Sequence, residues 1–598
     1  MGQRPAAPEP AEQQKYKNRE MEHMAQKTIK VETVAQAYLE LLRDREIDCF
    51  FANAGTDFAP LIDAFALFAH QGKGAPKPIT VPHENAAVAM AHGYYLATGR
   101  PQVVMVHVNV GTANAINGII NAARDNIPII FTAGRTPLTE SGLPGSRDMY
   151  IHWSQECFDQ AAMVREWVKW DYELRNFAQL EEVVDRAIEI AMTEPRGPVY
   201  LTLPREVLAE RHEEIVFTSP SRRNPCGPLH PDPEAIREAA VMLVSASNPL
   251  VITSASGRNA ETVVHLAKLA ESFAIPVITF NPRHVCLPTD HPMHAGYFPS
   301  ALLQKSDCIL ALDSEVPWYP SMGSPPDDCK VIHMGIDPLQ SRYPIRSFPC
   351  DLAIRADSAY AVPMLTEALA PYCDRQASQI AERFNRVSEM HARQLKAWKN
   401  AAEAARKNAP LDPVWISHCI NEVKDEQTII LNEYDLVLPQ MDFTSPGQFL
   451  GNTSVGGLGW GLGASIGVKM GSPESLVILC SGEGSYMFGN PTPCHFVSRA
   501  FDAPTLTIVF NNGCWNAVRQ ANIRMHPNGW AARTGNFPLS DLEPAPHYEK
   551  IVTASGGYAE RVEDPSEVLP ALHRAIHAVR VEKRQAVLNM VCKHPRDI

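Results

Sequence analysis

The chain has 598 residues, 45% of them hydrophobic and 20% charged, a composition that suits a soluble globular protein of about three or four domains. Its formal net charge of −13 argues against nucleic acid or an anionic membrane as the main partner, since both select a basic surface. The 13 cysteines include no CxxC pair and no Cys/His cluster at zinc spacing, which speaks against a disulfide framework and structural zinc.

The opening "MGQRPAAPEPAEQQKYKNRE" is polar and proline-bearing, and residues 1–30 are expected to form a flexible tail. They lack the apolar core of a signal peptide, and no later run approaches the roughly 18 apolar residues of a membrane span, so a cytoplasmic protein is expected. Beyond the tail, short β-branched runs alternate with Ala-rich helical stretches. "PITV", "QVVMVHV" and "IPIIFTAG" fall in residues 31–215, and "LVITS", "IPVITF", "CILAL" and "KVIHMGID" in 233–372. "TIILN", "SLVILCSGEGS" and "TLTIVFNN" fall in 410–598. Such alternation predicts βαβ units, and hence an α/β chain of three doubly wound parallel-sheet domains. The proline-broken "FTSPSRRNPCGPLHPDPEA" and a charged, Ala-rich, helical stretch near 375–410 mark the boundaries.

Chemistry is concentrated in "LVILCSGEGSYMFGN". A buried strand ends there at Gly482 and Gly484, which let backbone N–H groups approach a phosphate, and Ser485 follows. Between the glycines, Glu483 offers a hard oxygen ligand. The next strand ends in "NNG", where Asn511 or Asn512 supplies a second oxygen at the same sheet edge, a pair that suits magnesium diphosphate. The alternative is a tight turn bearing an exposed glutamate.

"GEGS" followed by "NNG" resembles the thiamin diphosphate motif of the acetolactate synthase and 2-oxoacid decarboxylase family. "VPHENAAVAMAHGYYLATGRP" resembles the segment carrying that family's activating glutamate, here Glu84. "GGLGWGLGASIGV", "NNGCWNAVR" and "HVNVGTANA" look closest to the benzoylformate decarboxylase branch. By this resemblance, Thr56, His107 and His291 stand at the positions of that branch's active-site serine and two histidines. Leu458 is the apolar side chain pressed between the cofactor rings. Gly482, Glu483, Gly484, Ser485, Asn512 and Asn432 lie at the diphosphate, with Glu483, Asn512 and Cys514 around Mg2+. Gln155, in "HWSQECFDQ", resembles instead the glutamine of the synthases' "FQE" motif.

The sequence departs from the family at several points. Glu483 replaces the usual aspartate, and "GNP" lengthens the spacing to "NNG". "NEYDLVLPQ" lacks the hydroxyl residues that touch diphosphate in the decarboxylase branch. "TSASGRN" and "LDSEVPWYP" lack the nucleotide contacts of the flavin-binding synthases, so no FAD is expected. The resemblance implies non-oxidative decarboxylation of a small-molecule 2-oxoacid to an aldehyde by a homodimer at minimum, and by a homotetramer as the expected assembly. A synthase-like carboligase is the alternative, and a catalytically silent cofactor-binding scaffold is the alternative of another class.

Overall fold

The computed structural model describes residues 25–136 and 138–595, so the first 24 residues of the expected tail lie outside the described residues. The last six do not fit that expectation. Ala25–Lys30 is a strand, β1, paired antiparallel with β8 (Glu214–Ser219) from Ala25 against Ser219 to Lys30 against Glu214. Its alternating Thr/Lys/Ile pattern is too short to announce a strand without the partner, which lies far along the chain.

The chain divides into two compact units, one running to Cys226 apart from Leu96–Thr98, the other from Gly227 onward. In the first unit, β2 (Cys49–Asn53), β3 (Lys77–Thr80), β4 (Gln102–Val106), β5 (Ile129–Arg135), β6 (Asp171–Glu173) and β7 (Val199–Pro204) form one sheet in the order β3-β2-β4-β5-β7-β6. Every pairing in it is parallel. Val103 to Val106 are wholly buried, because helices cover both faces of the sheet. A strand so placed reads as a continuous apolar run.

The second unit holds two parallel sheets. Its central sheet comprises β9 (Pro249–Thr253), β10 (Val277–Thr279), β11 (Cys308–Leu312), β12 (Lys330–Gly335) and β13 (Leu352–Arg355), in the order β10-β9-β11-β12-β13. The last sheet comprises β14 (Thr428–Glu433), β15 (Phe449–Leu450), β16 (Leu476–Gly482), β17 (Leu506–Asn511), β18 (Tyr558–Val562) and β19 (Ala586–Val591), in the order β15-β14-β16-β17-β19-β18. Numbered within each sheet, the first and last share one strand order, 2-1-3-4-6-5. The three parallel-sheet domains expected from the sequence are therefore present.

The Ala-rich stretch near 375–410 is one helix, Cys373–Ala405. Its 33 residues span about 50 Å at 1.5 Å per residue. Near its start Arg383 donates to the carbonyls of Phe273 and Ala274 at the end of a central-sheet helix, and near its finish the Trp398 carbonyl accepts from Gln440 Nε2.

In a doubly wound sheet, the strand order reverses at a switch point, and the carboxyl ends of the strands on either side of it open a crevice. Here the reversals lie between β2 and β4, between β9 and β11, and between β14 and β16. The central crevice is filled by its own chain. Ser254 Oγ donates to Phe280 O at 2.7 Å and meets Ser314 Oγ at 3.0 Å, while the Arg283 guanidinium grips the Glu315 carboxylate. The segment carrying Arg283 runs on between the two sheets. A Cβ at Gly257 would collide with the Val285 carbonyl, one at Gly451 would collide with the Pro282 carbonyl, and Gly451 N donates to Arg283 O at 2.9 Å.

Candidate active site

At the first switch point, β2 runs into a single turn of 3-10 helix, Thr56–Phe58, and β4 ends one residue before His107. Asp57 is fully buried, and its carboxylate accepts the His107 Nδ1–H at 2.5 Å. That bond puts the imidazole proton on Nδ1 and leaves Nε2 as the working nitrogen. Gln155 Nε2 stands 3.3 Å from it. The Gln155 amide can present its N–H to neutral imidazole or, after a flip, its oxygen to imidazolium. Two glycines make this packing possible: a Cβ at Gly55 would overlap the His107 ring, and one at Gly134 would overlap the Asp57 carboxylate. Thr56 is exposed, and its Oγ1 accepts from Arg147 Nη2 at 2.5 Å.

Glu84 is the first residue of the helix Glu84–Thr98. Its carboxylate does not serve as a cap. It accepts from Asn114 Nδ2 at 2.5 Å, and Asn114 closes the seven-residue helix Val108–Asn114 that begins directly after His107. One short helix thus carries the His107 imidazole at one end and the partner of Glu84 at the other, about 10 Å away.

At the last switch point, Glu483 follows β16 and is 1% exposed. Its Oε1 accepts from Cys514 N at 2.9 Å, and Asn512 Oδ1 accepts from the same N–H at 3.1 Å. Two hard oxygens therefore converge on one point, which is what a magnesium ion requires of side chains. The arrangement decides between the two asparagines of "NNG", because Asn511 turns to β19 and donates to Asn589 Oδ1. Cys514 enters through its backbone N–H, and its thiol also bonds to Asn512 Oδ1. Burial raises the Glu483 carboxyl to about 7, and nearby Asp435 adds to the rise. Gly484 leaves room for the Trp515 ring, Gly482 caps the short helix that follows, and Ser485 is buried beside it.

Asn432 lies at the end of β14, and its Oδ1 accepts from Leu436 N at 3.3 Å, shaping the turn in between. Tyr434 and Asp435 in that turn both have left-handed backbones, φ 75° and 73°. Non-glycine residues adopt that conformation at a cost of about 1–3 kcal/mol each, and such strain gathers at functional sites. It aims the Asp435 carboxylate at Gly482, and burial raises that carboxyl to about 6. The neighbouring Glu433 is 1% exposed and accepts from the N–H groups of Gly459, Trp460 and Gly461 at 2.6, 3.2 and 2.7 Å. These three bonds hold the turn that displays half-buried Leu458.

The structure thus gathers Thr56, His107 and Gln155 in one cluster, and Gly482, Glu483, Asn512 and Cys514 in another. His291 lies in the other unit from Thr56, His107 and Gln155, within the central domain. Its Nδ1 accepts from Met293 N at 3.2 Å, and its ring faces Glu271, Asp290 and His391 of the central domain, where burial lowers its pKa. Asp57, Arg147, Asn114 and Asp435 are further candidates that sequence reasoning does not single out, whereas Glu433 stands out in "NEYDLVLPQ" by its match to the family. Among the first four, Asp57, beside Thr56 in "GTD", carries a local signal.

Comparison with known proteins agrees with this geometry along the chain. Residues 32–163 match the thiamine pyrophosphate enzyme N-terminal TPP binding domain, 236–365 the central domain, and 434–589 the C-terminal TPP binding domain. A fold of three parallel sheets with acids at two of its crevices thereby defines a thiamin diphosphate (thiamine pyrophosphate) enzyme. The chain belongs to the thiamine pyrophosphate enzyme family.

It is 24% identical over 569 residues to the acetolactate synthase isozyme 3 large subunit of Escherichia coli, covering 91% of this chain and 92% of that one. It is 25% identical over 505 residues to a benzoylformate decarboxylase of Pseudomonas aeruginosa, covering 82% and 88%. The structure resembles a thiamine diphosphate-dependent 4-hydroxybenzoylformate decarboxylase of Rhodococcus jostii RHA1 with a TM-score of 0.74 at 21% identity, covering 94% of this chain and all of the other. Among the described residues no helix is long and apolar enough to cross a membrane.

Proposed function

We propose that this protein uses thiamin diphosphate and magnesium to decarboxylate a 2-oxoacid non-oxidatively and releases an aldehyde. The observation that carries this reading is the Asp57–His107 pair, in which a fully buried carboxylate fixes Nδ1 of a part-exposed imidazole and leaves its Nε2 edge at a sheet crevice. Bound thiamin diphosphate supplies the nucleophilic carbon and the electron sink. The glycine turn, Ser485 and Asn432 suit its diphosphate, Glu483 and Asn512 suit magnesium, and the turn fixed by Glu433 presents Leu458 to its rings. Glu84, relieved of capping and met by Asn114, holds and returns a proton at the aminopyrimidine. Thr56 offers its exposed hydroxyl to the substrate, and His107, once it has taken up a proton at Nε2, delivers that proton while Asp57 keeps the ring oriented.

The filled central crevice supports a domain without flavin. The family resemblance supports a cytoplasmic homodimer or homotetramer. Carboligation remains the second reading, favoured by the contact of Gln155 with His107.

Two results test the proposal. Replacing His107 by Ala slows aldehyde release more than carbon dioxide loss, by about 10²–10⁴-fold, because a placed general acid is lost while the electron sink is kept. Carbon dioxide, aldehyde and hydroxyketone measured from one reaction decide the matter. Equal slowing of both steps with an unchanged product ratio removes His107 from proton delivery, and ligated product dominating already in the parent selects the carboligase.

The second result concerns pH. A cation must displace the proton of Glu483, whose carboxyl stands at about 7. Joint binding of magnesium and cofactor therefore tightens as pH rises through 7 and weakens about tenfold per pH unit below it. Calorimetric titrations at pH 6 and pH 8 check this, and equal affinity at both shows that the Glu483 carboxyl is not the group whose proton the cation displaces.

A further inference from the structure

Arg147 is 1% exposed, and its guanidinium makes one hydrogen bond, from Nη2 to Thr56 Oγ1. Its Nε and Nη1 are buried with no partner. The two carboxylates whose charges act on it form no ion pair with it: Asp57 is committed to His107 and to Val108 N, and Glu206 directs Oε1 to Thr139 while its Oε2 is buried without a partner among the described residues. Arg205 approaches the same turn, its Nη1 donating to the Thr56 carbonyl at 3.1 Å. Two guanidinium groups thus flank Thr56, and two donors of the buried one remain unmet. Proteins rarely bury a cation in this state, because desolvation is left uncompensated unless an anion supplies the missing bonds.

We propose that Arg147 is the receptor for a second anionic group on the substrate, so that the enzyme's preferred 2-oxoacid carries a carboxylate or comparable anion besides the one it loses. The inference rests on the decarboxylase reading for the role of the first carboxylate. A guanidinium clamped on the departing carboxylate would stabilise the ground state and oppose its loss, whereas the same clamp on a distal anion binds ground and transition states alike. The unmet Nε–H and Nη1–H point from different edges of the guanidinium, so each is a separate charged donor for an anion's oxygen. Thr56, exposed and already bonded to Nη2, marks the side from which the anion arrives.

The test uses the full chain as purified and unreactive probes: malonate, succinate and glutarate against acetate, propionate and butyrate, titrated calorimetrically. At least one dianion binds about tenfold or more tighter than its monoanion partner, since a bond to a charged group is at stake. Arg147→Gln abolishes that difference, and Arg147→Lys, which keeps the charge but not the fixed N–H donors, retains part of it. In turnover by the cofactor-loaded enzyme, Arg147→Gln lowers the kcat/KM ratio of 2-oxoglutarate to 2-oxobutyrate, chiefly through KM.

The inference is overturned if no dianion outbinds its partner, or if Arg147→Gln and Arg147→Lys both keep the parent's discrimination. Should Arg147→Gln fail to fold, folded Arg147→Lys decides alone: reduced discrimination supports the assignment, and discrimination equal to the parent's overturns it. Selective dianion binding without any 2-oxoacid turnover sinks the decarboxylase reading alone. Turnover of monoanionic 2-oxoacids without dianion selectivity sinks only the Arg147 assignment.

Discussion

Glu84→Gln leaves thiamin diphosphate binding within a few-fold of the parent and slows exchange of the cofactor's C2 proton by about 10²–10⁴-fold, the share of a positioned general acid/base. The geometry separates the two effects. The Glu84 carboxylate caps no helix N–H and bonds only to the amide of Asn114, a group that glutamine can also meet. The variant should therefore fold, bind and fail in proton transfer. Quenched-flow exchange into heavy water, read by proton NMR of the released cofactor, measures it. Exchange at the parent's rate would remove Glu84 from the mechanism.

On the proposed reading, Glu483→Ala weakens magnesium and thiamin diphosphate together, by about 100-fold or more, because the ion would lose its charged ligand. Glu483→Asp restores binding, since the shorter carboxylate retains charge beside Asn512. Cys514 N reports the same event, because its N–H is shared between the Glu483 and Asn512 oxygens and loses one acceptor in the alanine variant. Cofactor titration with and without magnesium checks both variants. An alanine variant that binds as tightly as the parent refutes the reading of "GEGS" as a metal motif.

The parts of this protein legible in its sequence are those whose causes are local. Strands such as Leu476–Gly482 are buried on both faces and so appear as unbroken apolar runs. Polar residues at their carboxyl ends follow in the next few letters, which is why Glu483 and Asn512 can be proposed from sequence, and the structure brings their oxygens to one N–H. What stays hidden depends on distant partners. The bond between Asp57 and His107 spans 50 positions, and that between Thr56 and Arg147 spans 91. Arg147 itself lies in a stretch with no periodicity to place it. The turn of Tyr434 and Asp435 stands out in sequence for its missing hydroxyls and not for its acid, because only backbone angles reveal that the side chain points at Gly482.

The segment from Pro282 to Val285 passes two openings that glycine alone leaves clear, one at Gly257 and one at Gly451. In mechanical terms it is a pin through two eyelets, with the Arg283–Glu315 pair as its head. Neither sheet can swivel against the other without first drawing the pin. The same segment thus closes over the carboxyl ends of the central strands and ties them to the last sheet, whose Gly451 N–H it receives at the Arg283 carbonyl.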